Sequence, residues 1–303
     1  MIEFQRLRLS EKEAYEKILF ACPGRSCEYS FANMYLWGRQ EAAFFPDCVG
    51  FFSHFYGKSV YPYPIGTGDR RGVLEAIIRD ARERGIPCRI VSMTKAETEE
   101  LEQWFPGRFL IRTDRDGFDY VYAIDDLADL KGRKFQKKRN HVNRFRAEHP
   151  AYTCAALTSE NLDRAQEMVQ RWYQTRIAED PHGEYLLEQV AINRAFRHFQ
   201  SLGMEGMLLM DGEAVLAVTM GSRLSQDTFD VHFEKAREDV DGAYAAVNQE
   251  FARYLRQKFP ELQYLNREDD MGLEGLRKAK LSYQPHHFAE KYQAFLAEAL
   301  HGD

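Results

Sequence analysis

The same order of extended and helical segments runs twice along this chain of 303 residues. In the C-terminal half, AYTCAAL (151–157) alternates and predicts a strand. SENLDRAQEMVQRWYQTR follows, with Ser159 placed to cap a helix whose apolar face is Leu162, Ala165, Met168, Val169 and Trp172. After a break at Pro181 and Gly183, Tyr185, Leu186, Val190, Ala191, Ala195 and Phe199 mark a second helix. MEGMLLM and AVLAVTMGSRL flank Asp211-Gly212, a strong hairpin signal. DTFDVHFEKA predicts another strand, and GAYAAVNQEFARYLRQKF a helix with Tyr244, Val247, Phe251 and Leu255 on one face. LQYLN (262–266) is a short strand, 273–281 a helix and HHFAEKY a last strand. The order is β-α-α-β-β-β-α-β-α-β.

The N-terminal half gives much the same order. IEFQRLRL predicts a strand, 10–21 and 31–37 helices, and EAAFF, CVGFFSHF and SVYPYP three strands. A helix over 69–84 ends before Gly85, followed by PCRIVSM, a helix over 95–105, GRFLIRT, and FDYVYAI after the Asp116-Gly117 turn. The halves share element order and no evident residue identity. The order resembles the GNAT acyltransferase fold. The expectation is an α+β or α/β protein of two tandem GNAT-like domains, each a mixed, mostly antiparallel sheet flanked by helices. The domains are placed at 1–128 and 150–303, joined by a basic linker helix over 129–149.

Other features narrow the classes. A net charge of −6 is wrong for a general nucleic-acid coat. The N-terminus MIEFQRLRLSEKEAYEK has charges where a signal peptide needs an apolar core, and no stretch approaches the ~18–20 apolar residues of a membrane span. The expectation is a soluble, cytoplasmic protein. Five scattered cysteines without a C-x-x-C speak against a disulfide framework or a metal site. No Ser/His/Asp or Cys/His signature is evident.

Three segments carry chemistry. In LKGRKFQKKRNHVNRFR (130–146), residues 131–146 hold eight Lys or Arg and no acid. Arg133, Lys137, Asn140 and Arg144 share one helical face, with Lys138 and Arg139 in the same run, and Phe135, Val142 and Phe145 give an apolar side. Such a helix suits a phosphate-rich partner, tRNA or an anionic membrane surface, or serves as a solvated linker. In EKAREDVDGAYAAVNQEF (234–251), Gly242-Ala243 fits a backbone that approaches a ligand at a helix N-terminus. The preceding Glu238, Asp239 and Asp241 would each repel a pyrophosphate by about 1 kcal/mol, and suit an amino group instead. Asp241 also fits a plain helix cap. In LNREDDMGLEGLRKAKLSYQPHHF (265–288), Asn266, Arg267, Glu268, Asp269 and Asp270 crowd the C-terminal edge of the sheet, where α/β clefts lie. Arg277, Lys280 and Tyr283 follow at intervals of three.

Here the sequence resembles the phosphatidylglycerol lysyltransferase C-terminal domain family. The likeness rests on Asn266-Arg267-Glu268-Asp269, Gly272, Gly275-Leu276-Arg277, Lys280, and Tyr283 with Pro285. It extends to Gly242-Ala243-Tyr244 with Asn248, and to Lys137-Lys138-Arg139-Asn140 with Asn143-Arg144-Phe145. The family is built of tandem GNAT-like domains and is similar to the Fem peptidyltransferases, which take amino acids from aminoacyl-tRNA. The resemblance implies aminoacyl transfer to an acceptor, with aminoacyl-tRNA as donor and no further cofactor. Carboxylates among Asp241, Glu268, Asp269 and Asp270 would read the ammonium, and Arg277 or Lys280 would stabilise charge on the ester carbonyl. Asp269, Arg277 and Lys280 are the expected catalytic residues. The alternatives are acyl-CoA-dependent N-acyl transfer and a non-catalytic amino-acid or partner-binding module. IGTGDRRG (65–72) in the first half reads as structural.

Overall fold

The computed structural model describes every residue except 23, 56, 178–183 and 298–303. Two compact units emerge. The first joins Met1–Asp119, Asp269–Leu273 and Phe288–Asp303, and the second joins Tyr120–Glu268 and Glu274–His287.

The N-terminal elements are α1 (Lys12–Phe20), α2 (Phe31–Trp37), β1 (Gln40–Phe45), β2 (Cys48–Phe55), β3 (Lys58–Pro62), β4 (Ile65–Gly66), α3 (Arg70–Arg84), β5 (Arg89–Met93), α4 (Lys95–Trp104) and β6 (Phe109–Thr113). Then follow β7 (Asp119–Ala123), α5 (Ile124–Asp129), α6 (Gln136–Glu148), β8 (Tyr152–Ala156), α7 (Leu162–Ile177), α8 (Glu184–Arg197), β9 (Glu205–Asp211) and β10 (Ala214–Arg223). The chain closes with β11 (Thr228–Ala236), α9 (Ala243–Lys258), β12 (Tyr264–Asn266), α10 (Glu274–Leu281), β13 (His287–Ala289) and β14 (Tyr292–Leu296).

One sheet has the order β1-β2-β3-β5-β14-β6, with β4 on β2; the other runs β13-β7-β12-β11-β10-β9-β8. Each has a parallel pair, β3 with β5 and β11 with β12, beside antiparallel ones. A helix bridges each parallel pair, α3 in the first unit and α9 in the second. The doubled order is thus a doubled mixed, mostly antiparallel α/β architecture.

The structure corrects the boundaries at 128 and 150. β7 precedes the basic helix in sequence yet pairs with β12, completing the second unit's sheet. β14 comes from the C-terminal end yet lies between β5 and β6. Each sheet therefore takes a strand from the opposite half of the sequence. The basic segment is not a linker. Phe135, Val142 and Phe145 of that segment are fully buried, and Phe145 shares a core with Ala243, Ala246 and Val247 of α9. Burying each large side chain is worth about 1.5–3 kcal/mol, enough to fix α6 on α9.

Local signals explain most other boundaries. Asp69 caps α3 by accepting from the Gly72 amide at 2.8 Å, and Gly85 closes it at φ 66°. Gly212 turns the β9–β10 hairpin at φ 56°. Three expectations fail. The strand over IEFQRLRL is a single bridge, Gln5 to Ala42. Ser159 is not at the helix start, because α7 begins at Leu162. HHFAEKY (286–292) is not one strand: it holds β13 and ends on Tyr292, the first residue of β14. No helix among the described residues is long and apolar enough to cross a membrane.

Candidate functional site

β11 and β12 run parallel through Thr228–Tyr264, Phe229–Leu265 and Asp230–Asn266. β12 then stops, while β11 continues to Ala236. The second sheet opens into a wedge at this point. A bulge sharpens it: Met220 opposes Phe233 and Gly221 opposes Val231, so His232 is an extra residue on β11.

Two groups of side chains fill the wedge. In the first, an Arg267 Nη2 donates to Glu234 Oε1 at 2.8 Å, and Asn248 Nδ2 on α9 donates to Glu234 Oε2 at 3.3 Å. The guanidinium lies 4.9 Å from the Tyr283 ring centre and 5.8 Å from that of Tyr122. Lys138 Nζ stands 3.8 Å from the Tyr283 ring centre. Lys280 Nζ donates to the Arg267 carbonyl at 2.5 Å. Glu234 and Arg267 are shielded, with side-chain exposures of 11% and 14%. Arg267 Nη1 and Asn248 Oδ1 are buried and make no regular hydrogen bond to any described residue. A lost partner for such an atom costs about 1–3 kcal/mol, so two of them side by side mark a place for a water or a ligand to meet them.

Burial pulls the Lys138 ammonium down to about 8; Arg267 adds to that shift and Glu234 opposes it. Lys138 has no carboxylate partner among the described residues. Burial also raises the Tyr283 hydroxyl to about 12, against the pull of Arg267.

The second group surrounds His232, whose side chain is 1% exposed. Its Nε2 lies 2.9 Å from Ser222 Oγ. Its Nδ1 is 3.4 Å from both Asp230 Oδ2 and Glu268 Oε1. Glu268 adopts a left-handed φ of 57°, held by the Asn266 side chain, whose Oδ1 accepts from the Glu268 amide at 2.7 Å.

The structure disperses part of the expected site. Asn248, Asn266, Arg267, Glu268, Lys280 and Tyr283 come together in the second unit, joined by Lys138. Asp269 and Asp270 belong to the first unit. Asp269 lies 3.7 Å from Lys291 Nζ, which also binds Glu28 and Asp119 at 2.6 Å each. Asp270 is fully buried, 3.6 Å from Arg115, and accepts from the Gly272 amide. Arg277 is half-buried on α10. The expected catalytic trio of Asp269, Arg277 and Lys280 is therefore divided between the units.

The loop before α9 also differs. Asp241 is exposed and pairs with Arg144 and His141. Gly242 sits at φ 80°, and a Cβ there would lie 2.5 Å from the His141 carbonyl oxygen and 3.0 Å from Phe145 Cβ. Its close approach is to α6, not to a ligand. Ala243 is buried and Tyr244 partly exposed in the first turn. On the basic segment, Arg133, Lys137 and Asn140 face solvent. Arg139 is tied to the Leu130 and Gly132 carbonyls.

Residues 22–295 match the family model for the C-terminal region of phosphatidylglycerol lysyltransferase. The chain belongs to this family. A conserved protein of unknown function from Bacteroides thetaiotaomicron VPI-5482 shares 35% identity and a TM-score of 0.92, over 98% of this chain and 100% of that one. L-PGS from Bacillus licheniformis, at 14% identity and TM-score 0.68, covers 96% and 93% of the two chains. FemX, at 10% identity and TM-score 0.59, covers 99% and 98%. The last two share the fold. An uncharacterized protein of Mycoplasmoides gallisepticum is 26% identical over 179 residues, 57% of this chain. The chain spans about half the length, 54%, of that curated relative. The family model thus fixes the family, and L-PGS and FemX share this chain's mixed, mostly antiparallel α/β fold.

Proposed function

We propose that the wedge of the second unit moves an aminoacyl group from an aminoacyl-tRNA, in the cytoplasm, to an acceptor nucleophile. The observation that carries this reading is the pair of unsatisfied buried atoms beside Glu234, the Arg267 Nη1 and the Asn248 Oδ1. An aminoacyl ester supplies what each lacks. Its α-ammonium donates to Asn248 Oδ1 and the Glu234 carboxylate. Its carbonyl oxygen accepts from Arg267, which stabilises the negative charge of the tetrahedral intermediate. The acceptor heteroatom bonds to the carbonyl carbon, and the bond to the ribose oxygen breaks. The acceptor's proton passes to that oxygen through the Lys138 amine, which stands beside Arg267 over Tyr283. An ester is already activated, so positioning supplies much of the rate and no protein nucleophile is required. Arg133 and Lys137 on the outer side of the basic segment offer charges to the acceptor-arm phosphates.

Acyl-CoA is the weaker donor on physical grounds. A pyrophosphate would need the α9 N-terminus, where α6 packs within reach of Gly242 and Asp241 adds a carboxylate. Filter binding at fixed salt separates the two donors. Charged tRNA should bind more tightly than the same tRNA uncharged, and acetyl-CoA should not compete. Binding of acetyl-CoA alone would move the chain to acyl-CoA chemistry.

The Lys138 amine sets a pH dependence. With its value near 8, it carries a proton below that pH and is a base above it. Single-turnover transfer should rise through about pH 8 and level off beyond. Lys138→Arg should abolish that limb, because guanidinium stays protonated. A profile flat from about pH 7 to 9 in the unaltered protein would remove Lys138 from the proton path.

A further inference from the structure

We infer that His232 is a positioning residue for Arg267, holding from β11 the turn that carries it. The inference rests on the reading of Arg267 as the group that meets the ester carbonyl. Ser222, Asp230 and Asn266 stand in register across β10, β11 and β12. All three are buried, and the His232 ring is buried with them. A polar row inside a sheet costs free energy unless each member is satisfied, and apolar side chains would serve packing as well. Phe229, Val231 and Phe233 on the same strand show that alternative, and all are buried. The row ends at Glu268, the residue after Arg267, whose side chain is 26% exposed.

The contacts make the row a rigid link. Ser222 Oγ lies 2.9 Å from His232 Nε2 and fixes the ring at that edge. Carboxylate oxygens of Asp230 and Glu268 stand 3.4 Å from Nδ1 and keep a proton on it. That N–H donates to Glu268 Oε1. The bulge that makes His232 an extra residue aims the ring at this contact. Glu268 needs such support, because its left-handed backbone crowds a Cβ. The Arg267 amide donates to the Tyr120 carbonyl at 3.0 Å, and the Tyr120 amide to the Glu268 carbonyl at 3.1 Å. β7 thus holds the backbone of the turn, and His232 holds its side chain. With Glu268 pinned, Arg267 keeps one posture, with Nη2 on Glu234 and Nη1 left for the substrate. Releasing Glu268 lets the turn relax from its left-handed φ and carries Arg267 off the carbonyl. A misplacement of about 1 Å costs about 100-fold in rate.

The test compares His232→Leu with His232→Asn in the full chain. Leucine fills the space and has no donor, whereas asparagine is smaller and offers an N–H near the position of Nδ1. Single-turnover discharge of bulk aminoacylated tRNA by excess protein is followed across protein concentrations. Leucine should lower the saturating rate by about 10–100-fold and leave half-saturation within about twofold, since Glu234 and Asn248 still hold the ammonium. Asparagine should recover the rate to within about threefold of the original. A packing role gives the reverse order, because asparagine leaves a void that leucine fills, and that order would overturn the inference. A crystal structure of the folded His232→Leu chain should show Arg267 withdrawn from Glu234; an unmoved pair would overturn it too. If the leucine variant does not fold, Glu268→Met cuts the same link from its exposed end, and the same two readouts decide. If the unaltered chain discharges no aminoacyl-tRNA, the aminoacyl reading fails, and the place of Arg267 in the variant structure decides the positioning role by itself.

Discussion

Replacing Arg267 by lysine lowers kcat/KM for aminoacyl transfer by about 10²–10³, the usual cost of removing one donor to a developing oxyanion. Lysine keeps a cation beside Glu234, so the buried carboxylate is not stranded. It loses the planar fork that lets one nitrogen bind Glu234 while Nη1 meets the carbonyl. Alanine is a poorer probe, since it would leave Glu234 buried and unpaired and cost about 3–5 kcal/mol of stability. Asn248→Ala should act differently. It removes an acceptor for the ammonium in the ground state as well as the transition state, and so raises KM more than it lowers kcat. A folded Arg267→Lys protein within about threefold of the original kcat/KM would contradict the role given to Nη1.

Lys291→Met should destabilise the first unit by about 3–5 kcal/mol, the cost of stranding buried carboxylates. An exposed pair would cost about 0–1 kcal/mol. The choice between these magnitudes follows from burial. The Lys291 side chain is 9% exposed and Asp119 is fully buried, with 2.6 Å between their charges. Burial pushes the ammonium down, but Asp119, Cys27, Glu28 and Asp269 together lift it well above the ordinary lysine value. The protein favours the charged form, and methionine cannot supply it. Adding Asp119→Asn to Lys291→Met should recover part of the loss, because the stranded charge is then removed. Urea denaturation measures both. A loss below about 1 kcal/mol would show that the cluster is solvated after all.

The order of elements was legible because hairpin turns, caps and apolar faces are local. Asp211-Gly212 and Asp69 did in the structure what their types demand. The exchange of β7 and β14 is not legible, because no local property of YVY or QAF says which sheet a strand joins. The site was half legible. Arg267, Asn248, Tyr283 and Lys280 lay in segments whose mixed charges drew notice. Asp269 and Asp270 were grouped with them because they adjoin in sequence, yet the chain passes into the first unit at Asp269. Glu234, His232, Asp230 and Ser222 lie outside the expected site, although the sequence carries a signal for three of them. In DTFDVHFEKA, Asp230, His232 and Glu234 recur at every second position of a strand otherwise lined by buried residues. Polar groups at strand period inside a core need partners, and that need marks a site. The charge of its neighbours points to Lys138 as a phosphate ligand, and only packing against Tyr283 shows it turned inward. Gly242 was read as making room for a ligand, whereas it makes room for α6.

The most direct measurement is single-turnover discharge of a pool of tRNAs carrying labelled amino acids, mixed with the unaltered chain and an extract of cell metabolites and lipids as acceptor source. One or a few esters should vanish faster than they hydrolyse spontaneously, the label should appear in a new compound, and Arg267→Lys should return those esters to the spontaneous rate. If every ester decays at its spontaneous rate while acetyl groups from acetyl-CoA reach an acceptor, the wedge is not an aminoacyl-transfer site.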